Sequence, residues 1–357
     1  MIVIFTSVEN GGIAQFTIKV LEVLSDLGYE CVCFMPSSRH IYIPEKYKNS
    51  IESYNRFKVI SSRSKAITEL KERIMGFNPD AIFYCDNAVI SDQMCNSIAG
   101  INQWLTIHDV NFHPSYNSSL QRYLHDLFNS ICTSKAIKKA YRIVLLSPYS
   151  KTVFDKKYKY SNKSVLLNLG AHIPNCNCQP ISELINVSDY FMFFGRIDRY
   201  KGLYTLLKAY NAYKYSGHKL VIAGSGVLTD EEKELVSNNK NIILINRFIE
   251  DEEMIYLFKN ARSLILPYIE ASQSGIIPIA YSFGIPVIVS DVIGLTQYVD
   301  DRATGIICNS ESDYTEAMEI IESDSLLAQY KENCVTYYSK VFDWNKNFIR
   351  LFEDSNL

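Results

Sequence analysis

Residues 191–202 read Phe-Met-Phe-Phe-Gly-Arg-Ile-Asp-Arg-Tyr-Lys-Gly, which predicts an apolar strand that ends at Gly195 in a turn before a new helix. A glycine at a strand end lets the backbone bend sharply, and the turn carries two cations, Arg196 and Lys201. Cations placed just before a helix N-terminus attract an anion together with the helix dipole. The stretch, called the basic turn below (residues 195–202), therefore predicts a diphosphate site. A solvated loop is the alternative for the turn taken alone.

Short apolar runs rich in β-branched residues alternate with amphipathic stretches along the whole chain, a pattern typical of βαβ units and a parallel sheet. The predicted strands are 2–6, 31–35, 81–84, 104–107, 143–147, 165–167, 191–194, 220–223, 242–245, 264–266, 287–289 and 306–308. We therefore expect an α/β fold of two Rossmann-like doubly wound domains facing across a cleft. The first comprises residues 1–172 with a C-terminal helix at about 342–357 that crosses back, and the second residues 173–341.

The composition is that of an ordinary globular protein, with 357 residues of which 47% are hydrophobic and 21% charged. No run approaches the roughly 18 apolar residues of a membrane span, so we expect a cytoplasmic protein. The nine scattered cysteines are typical of reduced core thiols. The net charge of −3 and the lack of a binding motif argue against a nucleic-acid partner.

Charge is distributed unevenly along the chain. Residues 1–170 carry 20 Lys+Arg against 14 Asp+Glu, and the remainder 16 against 25. The basic first half, including Lys135, Lys138, Lys139 and Arg142, is suited to an anionic acceptor or to peripheral contact with an anionic membrane at its cytoplasmic face. Chance variation over a solvated surface is the alternative.

Two strand-end loops of the first half carry candidate ligand groups. Gly11 and Gly12 precede a helix and permit backbone amides to approach a phosphate or sugar. Their spacing is not Gly-x-Gly-x-x-Gly, which disfavours nicotinamide and flavin cofactors. His108 and Asp109 end an apolar strand, where the imidazole is expected to bond a sugar hydroxyl and the carboxylate to orient it or meet an acceptor hydroxyl. A tight turn and a structural histidine are the respective alternatives.

Another strand-end loop, in the second half of the chain, follows the predicted strand 264–266. Its small residues Ser272, Gln273, Ser274 and Gly275 let a helix N-terminus offer its amides to a phosphate, with Glu270 placed for donor-sugar hydroxyls. No Asp-x-Asp stands at a strand end to hold a divalent metal, so neither a metal nor another cofactor is expected.

The ordered set of motifs resembles the retaining glycosyltransferases of family 4, which have the GT-B fold, over nearly the full length. The matching features are Gly11-Gly12, His108-Asp109, Gly195-Arg196 with Lys201-Gly202, the strand turn around Gly224, residues 272–275, and the Gly-Ile-Pro turn at 284–286. The resemblance implies transfer of a sugar from a nucleotide-diphosphate donor, with Arg196 and Lys201 on the diphosphate and His108 near the donor sugar. It also implies a base and ribose near Arg247 and Phe248.

One departure concerns the family's pair of glutamates, eight positions apart, which correspond to Ala271 and Ile279 here. A variant subgroup with a Gln-Ser-Gly loop resembles the chain better, and no catalytic nucleophile is assigned. The expected acceptor is a saccharide or lipid-linked saccharide in cell-surface polysaccharide biosynthesis. A nucleotide-sugar epimerase of the same fold and a non-catalytic sugar-nucleotide or glycan-binding module remain as alternatives.

Overall fold

The computed structural model describes residues 1–37, 42–56, 63–110, 120–173, 176–214 and 217–353. The chain divides into two units: unit 1 comprises Met1–Asn168 and Trp344–Leu357, and unit 2 comprises Leu169–Asp343. The division thus falls at residues 168/169 and 343/344, close to the boundaries expected from the sequence at 172/173 and 341/342. Residues 354–357 of the predicted last helix lie outside the described residues.

Unit 1 contains a seven-stranded parallel sheet in the order β3-β2-β1-β4-β5-β6-β7. Its strands are β1 (Ile2–Phe5), β2 (Cys31–Pro36), β3 (Ile51–Tyr54), β4 (Ala81–Tyr84), β5 (Asn102–Ile107), β6 (Arg142–Leu145) and β7 (Ser164–Leu166). Its described helices are α1 (Gly12–Asp26), α2 (Arg63–Gly76), α3 (Val89–Ser97), α4 (Leu120–Lys139), α5 (Pro148–Lys157) and, from the end of the chain, α13 (Trp344–Glu353).

Unit 2 contains a six-stranded parallel sheet in the order β10-β9-β8-β11-β12-β13. Its strands are β8 (Tyr190–Phe194), β9 (Leu220–Ala223), β10 (Ile242–Ile245), β11 (Ala261–Leu266), β12 (Val287–Ser290) and β13 (Gly305–Cys308). Its described helices are α6 (Leu203–Ala212), α7 (Asp230–Ser237), α8 (Asp251–Asn260), α9 (Ile276–Ser282), α10 (Ile293–Thr296), α11 (Glu311–Ile321) and α12 (Asp324–Val341). The predicted fold class of two parallel-sheet Rossmann-like domains is confirmed.

Both faces of the second sheet are covered, which explains why its strands are continuous apolar runs. In β8, Tyr190 and Met192 belong to one core cluster and Phe191 and Phe193 to the other, because successive side chains point to opposite faces. The strand order reverses between β1 and β4 in unit 1 and between β8 and β11 in unit 2. Ligands of open parallel sheets bind at the carboxyl ends of the strands at such reversals.

The structure corrects the sequence prediction by adding strand β3, which was not predicted. It is an edge strand of four residues, Ile51–Tyr54, and Glu52 and Ser53 interrupt its apolar character. A single partner strand, β2, and the burial of Tyr54 hold it in the sheet. Such short edge strands carry too few apolar residues to be recognised by periodicity alone.

Helix α13 packs on unit 1. Its Phe348 is fully buried with its ring 6.1 Å from that of Phe83, and Phe352 lies 5.2 Å from the ring of Trp104. The Asn347 side chain donates to the Asn168 carbonyl at 3.2 Å. No helix of the described residues combines the length and apolar character needed to cross a membrane.

A buried arginine organises the amino end of β11. Arg262 is 2% exposed, and its guanidinium donates to Asp189 at 2.6 Å and to Asp324 at 2.7 Å. It also donates to the carbonyls of Ile321 and Glu322 at 3.0 and 2.8 Å. The fork of donors therefore ties the starts of β8 and β11 to the segment that joins α11 to α12.

We predict that Arg262→Ala lowers the free energy of unfolding by about 1–3 kcal/mol, because the carbonyls of Ile321 and Glu322 lose their donors, whereas the carboxylates of Asp189 and Asp324 keep contact with water. Urea unfolding measures the change. Arg302→Ala is the matched control, since Arg302 is half-exposed with one ion pair at 3.8 Å to Glu316, and its loss should cost less than about 1 kcal/mol. Equal urea midpoints for the two variants would contradict the role of Arg262.

Candidate functional site

The basic turn begins where β8 ends. Gly195 has a φ of +112°, a conformation that favours glycine. A Cβ at this position would lie 3.4 Å from Cδ1 of Ile276 and 3.7 Å from Nζ of Lys201. The backbone therefore passes directly beside the lysine ammonium and the start of α9.

Lys201 is buried at the far end of the same turn, with 8% of its surface exposed. Its Nζ donates to the hydroxyl of Tyr268 at 2.5 Å and lies 4.2 Å from the centroid of that ring. Burial lowers the pKa of the ammonium from 10.5 to about 8, and the positive charge of Arg196 acts in the same direction. A buried cation whose charge is only weakly compensated favours the binding of an anion.

Arg196 is the exposed member of the pair. Its side chain is 68% exposed, and its Nε lies 3.6 Å from the carboxylate of Asp198. Ion pairs of this exposed kind contribute little free energy, so the guanidinium can turn to a ligand at small cost. Its planar fork suits two phosphate oxygens, while Lys201 acts as a point charge.

Close backbone contacts fix the loops that follow β8, β9 and β11. Gly202 has a φ of +67°, and a Cβ there would lie 1.8 Å from the carbonyl oxygen of Pro267. Gly224 has a φ of +142°, and its Cβ would lie 2.0 Å from the carbonyl oxygen of Gly195. At both positions only glycine fits. The predicted residues Gly195, Lys201 and Gly224 are thus brought together at one edge of the sheet.

Residues 267–275, called the serine loop below, connect β11 to α9. Glu270 is exposed, Ser272 and Gln273 are half-buried, and Ser274 is 7% exposed. Among the described residues, the buried Oε1 of Gln273 and Oγ of Ser274 have no hydrogen-bond partner. Gly275 precedes α9 without a side-chain cap. Since an unsatisfied buried polar group costs about 1–3 kcal/mol, these atoms are available to a ligand.

Arg247 and Phe248 follow β10, two strands away from β8. The two terminal guanidinium nitrogens of Arg247, Nη1 and Nη2, donate to the carboxylate of Glu253 at 2.6 and 2.7 Å. The ring of Phe248 is 71% exposed. Their contact with a base and ribose stays a prediction, to which the structure adds the partner Glu253.

Within unit 1, His108 lies at the end of β5. Its Nε2 lies 2.8 Å from the carbonyl oxygen of Cys85, and its ring meets Phe16 edge-on at 5.5 Å. Burial lowers the pKa of the imidazole, so the neutral ring is favoured. A carbonyl only accepts, so Nε2 carries the proton and Nδ1 is the acceptor. Asp109, next along the chain, is exposed.

Gly11 and Gly12 are exposed at the start of α1, and Gly11 has a φ of +76°. A Cβ added at either glycine meets no atom of the described protein within 4 Å. The backbone at Gly11 and Gly12 is therefore open to solvent, and its contact with a ligand stays a prediction. The start of α1 has neither a side-chain cap nor an acidic residue in its first turn.

Sequence reasoning missed Asp86, which follows β4. Its carboxylate accepts from the hydroxyls of Thr6, Ser7 and Ser91 at 2.8, 2.9 and 2.7 Å. It also accepts from the backbone amides of Ser7 and Ala88, at 2.8 and 2.9 Å. Asp86 thus joins the ends of β1 and β4 and positions the loop that leads to Gly11. An aspartate directly after the apolar strand 81–84 was the available signal.

Sequence reasoning also missed Tyr268. This tyrosine is 4% exposed, and its hydroxyl accepts a hydrogen bond from Lys201 and so holds that side chain in place. Its carbonyl accepts from the Ser290 hydroxyl at 2.6 Å, which joins the end of β11 to that of β12.

Among the described residues, no group of three or more His, Cys, Asp or Glu is arranged to hold a metal ion. The expectation that no metal is needed stays a prediction.

The paired Rossmann-like units are those of the GT-B fold, the architecture of a large class of glycosyltransferases. The model of the family described as glycosyl transferases group 1 matches residues 180–340, which lie in unit 2. The match and the fold together support a GT-B glycosyltransferase.

Two curated proteins are similar in sequence. The chain is 26% identical over 187 residues to an uncharacterized 41.2 kDa protein in the cps region of Klebsiella pneumoniae, covering 51% of this chain and 50% of that protein. It is 25% identical over 195 residues to O-antigen chain mannosyltransferase C of Escherichia coli, covering 52% of each. The matches therefore span about half the length of these relatives.

A solved structure shares the fold over the whole chain. The crystal structure of Anabaena HepE in complex with UDP and glucose aligns with a TM-score of 0.76 at 14% identity, over 100% of both chains. At this identity the likeness shows the architecture alone.

We predict that Gly202→Ala destabilises the protein by about 1–3 kcal/mol, because the added Cβ meets the Pro267 carbonyl and requires a left-handed backbone. Thermal unfolding measures the loss. Gly217→Ala is the matched control, since its Cβ meets nothing within 4 Å. Unfolding temperatures that fall equally in both variants would contradict the close contact as the cause.

Proposed function

We propose that this protein is a glycosyltransferase that moves a sugar from a nucleotide-diphosphate donor to a saccharide or lipid-linked saccharide acceptor, with retention of configuration, in cell-surface polysaccharide biosynthesis. The observation that carries the proposal is the buried, weakly compensated ammonium of Lys201 beside the exposed Arg196. The similarity to an O-antigen chain mannosyltransferase supports the substrate class, and a protein of the same architecture was crystallised with UDP and glucose.

In this proposal the unpartnered Oε1 of Gln273 accepts from a hydroxyl of the donor sugar, and the donor diphosphate binds to Arg196, Lys201 and the unpartnered hydroxyl of Ser274. Charge that develops on the departing diphosphate is stabilised by these preplaced groups. The bond from the anomeric carbon to the diphosphate oxygen breaks, and a bond to the acceptor oxygen forms on the same face. The acceptor proton passes to a phosphate oxygen, so no protein nucleophile is required.

The remaining predicted residues take binding roles. Nδ1 of neutral His108 accepts a hydrogen bond from a donor-sugar hydroxyl. The carboxylate of Asp109 either orients the imidazole or contacts the acceptor hydroxyl. Glu270, which is exposed on the serine loop, accepts from hydroxyls of the donor sugar. The amides that follow Gly11 contribute donors to a phosphate or a sugar.

We predict that Arg196→Ala and Lys201→Met each reduce glycosyl transfer by about 100-fold or more and weaken UDP binding, because each removes a charge that faces the leaving group. Transfer from UDP-sugars and calorimetric titration with UDP measure the two effects. Lys208→Met is the matched control, since Lys208 is an exposed lysine of α6 that pairs with Glu311 at 2.8 Å.

Near-normal turnover and UDP affinity in both variants would show that the basic turn is misassigned. Turnover of a nucleotide sugar without any acceptor would favour the epimerase, and donor binding without transfer or hydrolysis would favour the binding module.

The affinity for UDP should also depend on pH. A bound diphosphate stabilises the charged ammonium and raises the pKa of Lys201, so binding takes up a proton when the free lysine is partly neutral. With a free pKa of about 8, UDP affinity should fall as the pH rises from about 7 to about 9. Lys201→Met should remove this dependence, and an unchanged pH profile in that variant would contradict the assignment.

We also propose peripheral contact of unit 1 with anionic membranes at the cytoplasmic face. Lys135, Lys138 and Lys139 are exposed on α4, on the same face as Ile131, which is 48% exposed. A basic surface with an exposed apolar side chain suits an anionic headgroup layer.

We predict that the protein sediments with vesicles containing anionic lipid at low salt and that K135E/K138E reduces the bound fraction several-fold, because each Lys near the surface contributes about 1 kcal/mol. Charge reversal at Lys214 and Lys219, both in unit 2, is the control. No binding, or binding equal in both double variants, would contradict the proposed surface.

A further inference from the structure

A pocket of unit 2 is formed where the basic turn meets the starts of α6 and α7. It has a volume of about 500 Å³, within the range of roughly 300–1,000 Å³ that is usual for small-molecule sites. The side pocket, as it is called below, is lined by residues of the basic turn, of the starts of α6 and α7, of the loop before α7 and of the serine loop, among them Asp198, Arg199, Tyr204, Thr205, Glu231 and Ile269. Neither cation of the diphosphate pair nor the unpartnered groups of the serine loop belong to this lining.

The apolar part of the side pocket has a buried portion and an exposed one. Leu203 and Ile197 are 1% and 5% exposed. Tyr204, Ile269 and Val227 are 46%, 65% and 89% exposed, which leaves apolar surface in water next to a concave site. A ligand with an apolar face would remove that surface from water.

The lining of the side pocket carries three carboxylates, those of Asp198, Glu231 and Glu232, against the single guanidinium of Arg199. The Asp198 carboxylate faces Arg196 at 3.6 Å, and Glu232 accepts from the Thr229 amide at 2.8 Å as part of a helix capping box. The remaining charged residues of the lining, Arg199 and Glu231, are exposed and of opposite sign. The lining is therefore net negative, which disfavours a phosphorylated ligand, and its carboxylates are suited to accept hydrogen bonds from the hydroxyls of a sugar.

The polar groups offer both donors and acceptors. Arg199 supplies N–H donors, Glu231 supplies carboxylate acceptors, and the hydroxyl of Thr205 serves either way. The Tyr204 ring stands beside them, with the Lys208 ammonium 5.7 Å from its centroid. Uncharged saccharides combine an apolar C–H face with a rim of hydroxyls that donate and accept.

From this combination we propose that the side pocket binds an uncharged saccharide, at a site distinct from the donor diphosphate site. The proposal rests on the proposed function in one respect, since a glycosyltransferase that extends a polysaccharide works among glycan chains. Tyr204 packs on a sugar ring, and Glu231 and Arg199 bond its hydroxyls. Such a site would hold a glycan close to the enzyme between transfers.

The test measures binding of three neutral trisaccharides, of gluco, manno and galacto configuration, to the full chain. Calorimetric titration and saturation-transfer NMR measure this binding with and without UDP. We expect at least one trisaccharide to bind with an affinity unchanged by UDP. Tyr204→Ala and Glu231→Gln should each weaken that binding about tenfold or more. Tyr42→Ala, which removes an exposed tyrosine of unit 1, is the matched control and should leave it unchanged.

UDP binding in each variant shows that the protein is folded and that the donor site is intact. Arg196→Ala should lose UDP and keep the trisaccharide, so a failure of the proposed function and a failure of the side pocket are distinguishable. The proposal is overturned if no trisaccharide binds, if both pocket variants bind as the unaltered protein does, or if Tyr42→Ala loses binding to the same extent.

Discussion

The arrangement at the carboxyl edge of the second sheet depends on glycines that lie so close to the backbone of a neighbouring loop that a Cβ would not fit. Gly202 lies against the Pro267 carbonyl and Gly224 against that of Gly195. These contacts bring the loops after β8, β9 and β11 together, so that the hydroxyl of Tyr268 reaches Lys201. The chemistry assigned to unit 2 therefore depends on the absence of a Cβ at glycines such as Gly202 and Gly224.

A buried cation lies near each end of β11, and the two cations differ in how far the protein compensates their charge. At the amino end, Arg262 donates to two carboxylates and two carbonyls, so its charge and its donors are used within the protein. At the carboxyl end, the ammonium of Lys201 has a neutral hydroxyl and an aromatic face, and its pKa falls to about 8. The first arrangement stabilises the fold, whereas the second leaves binding energy for a ligand.

Much of the fold could be predicted from the sequence because strands that are buried on both faces have continuous apolar sequences. Twelve such runs were recognised, and β3 was missed because Glu52 and Ser53 interrupt it at the sheet edge. The cations of the basic turn were also found, since they lie within one short motif. The burial of Lys201 was not, because it arises from Tyr268, 67 residues further along the chain. The pairing of Arg247 with Glu253 joins a loop to the following helix, and spacing on a single helix does not reveal it.

The position of α13 has a consequence for biosynthesis. Phe348 and Phe352 cover Phe83 and Trp104 in unit 1, yet the ribosome makes them only after all of residues 169–343. While unit 2 is being translated, the aromatic surface of unit 1 is without its cover and open to chaperones or to association with other nascent chains. Completion of unit 1 must therefore wait until unit 2 has been synthesised, although most of unit 1 emerges first.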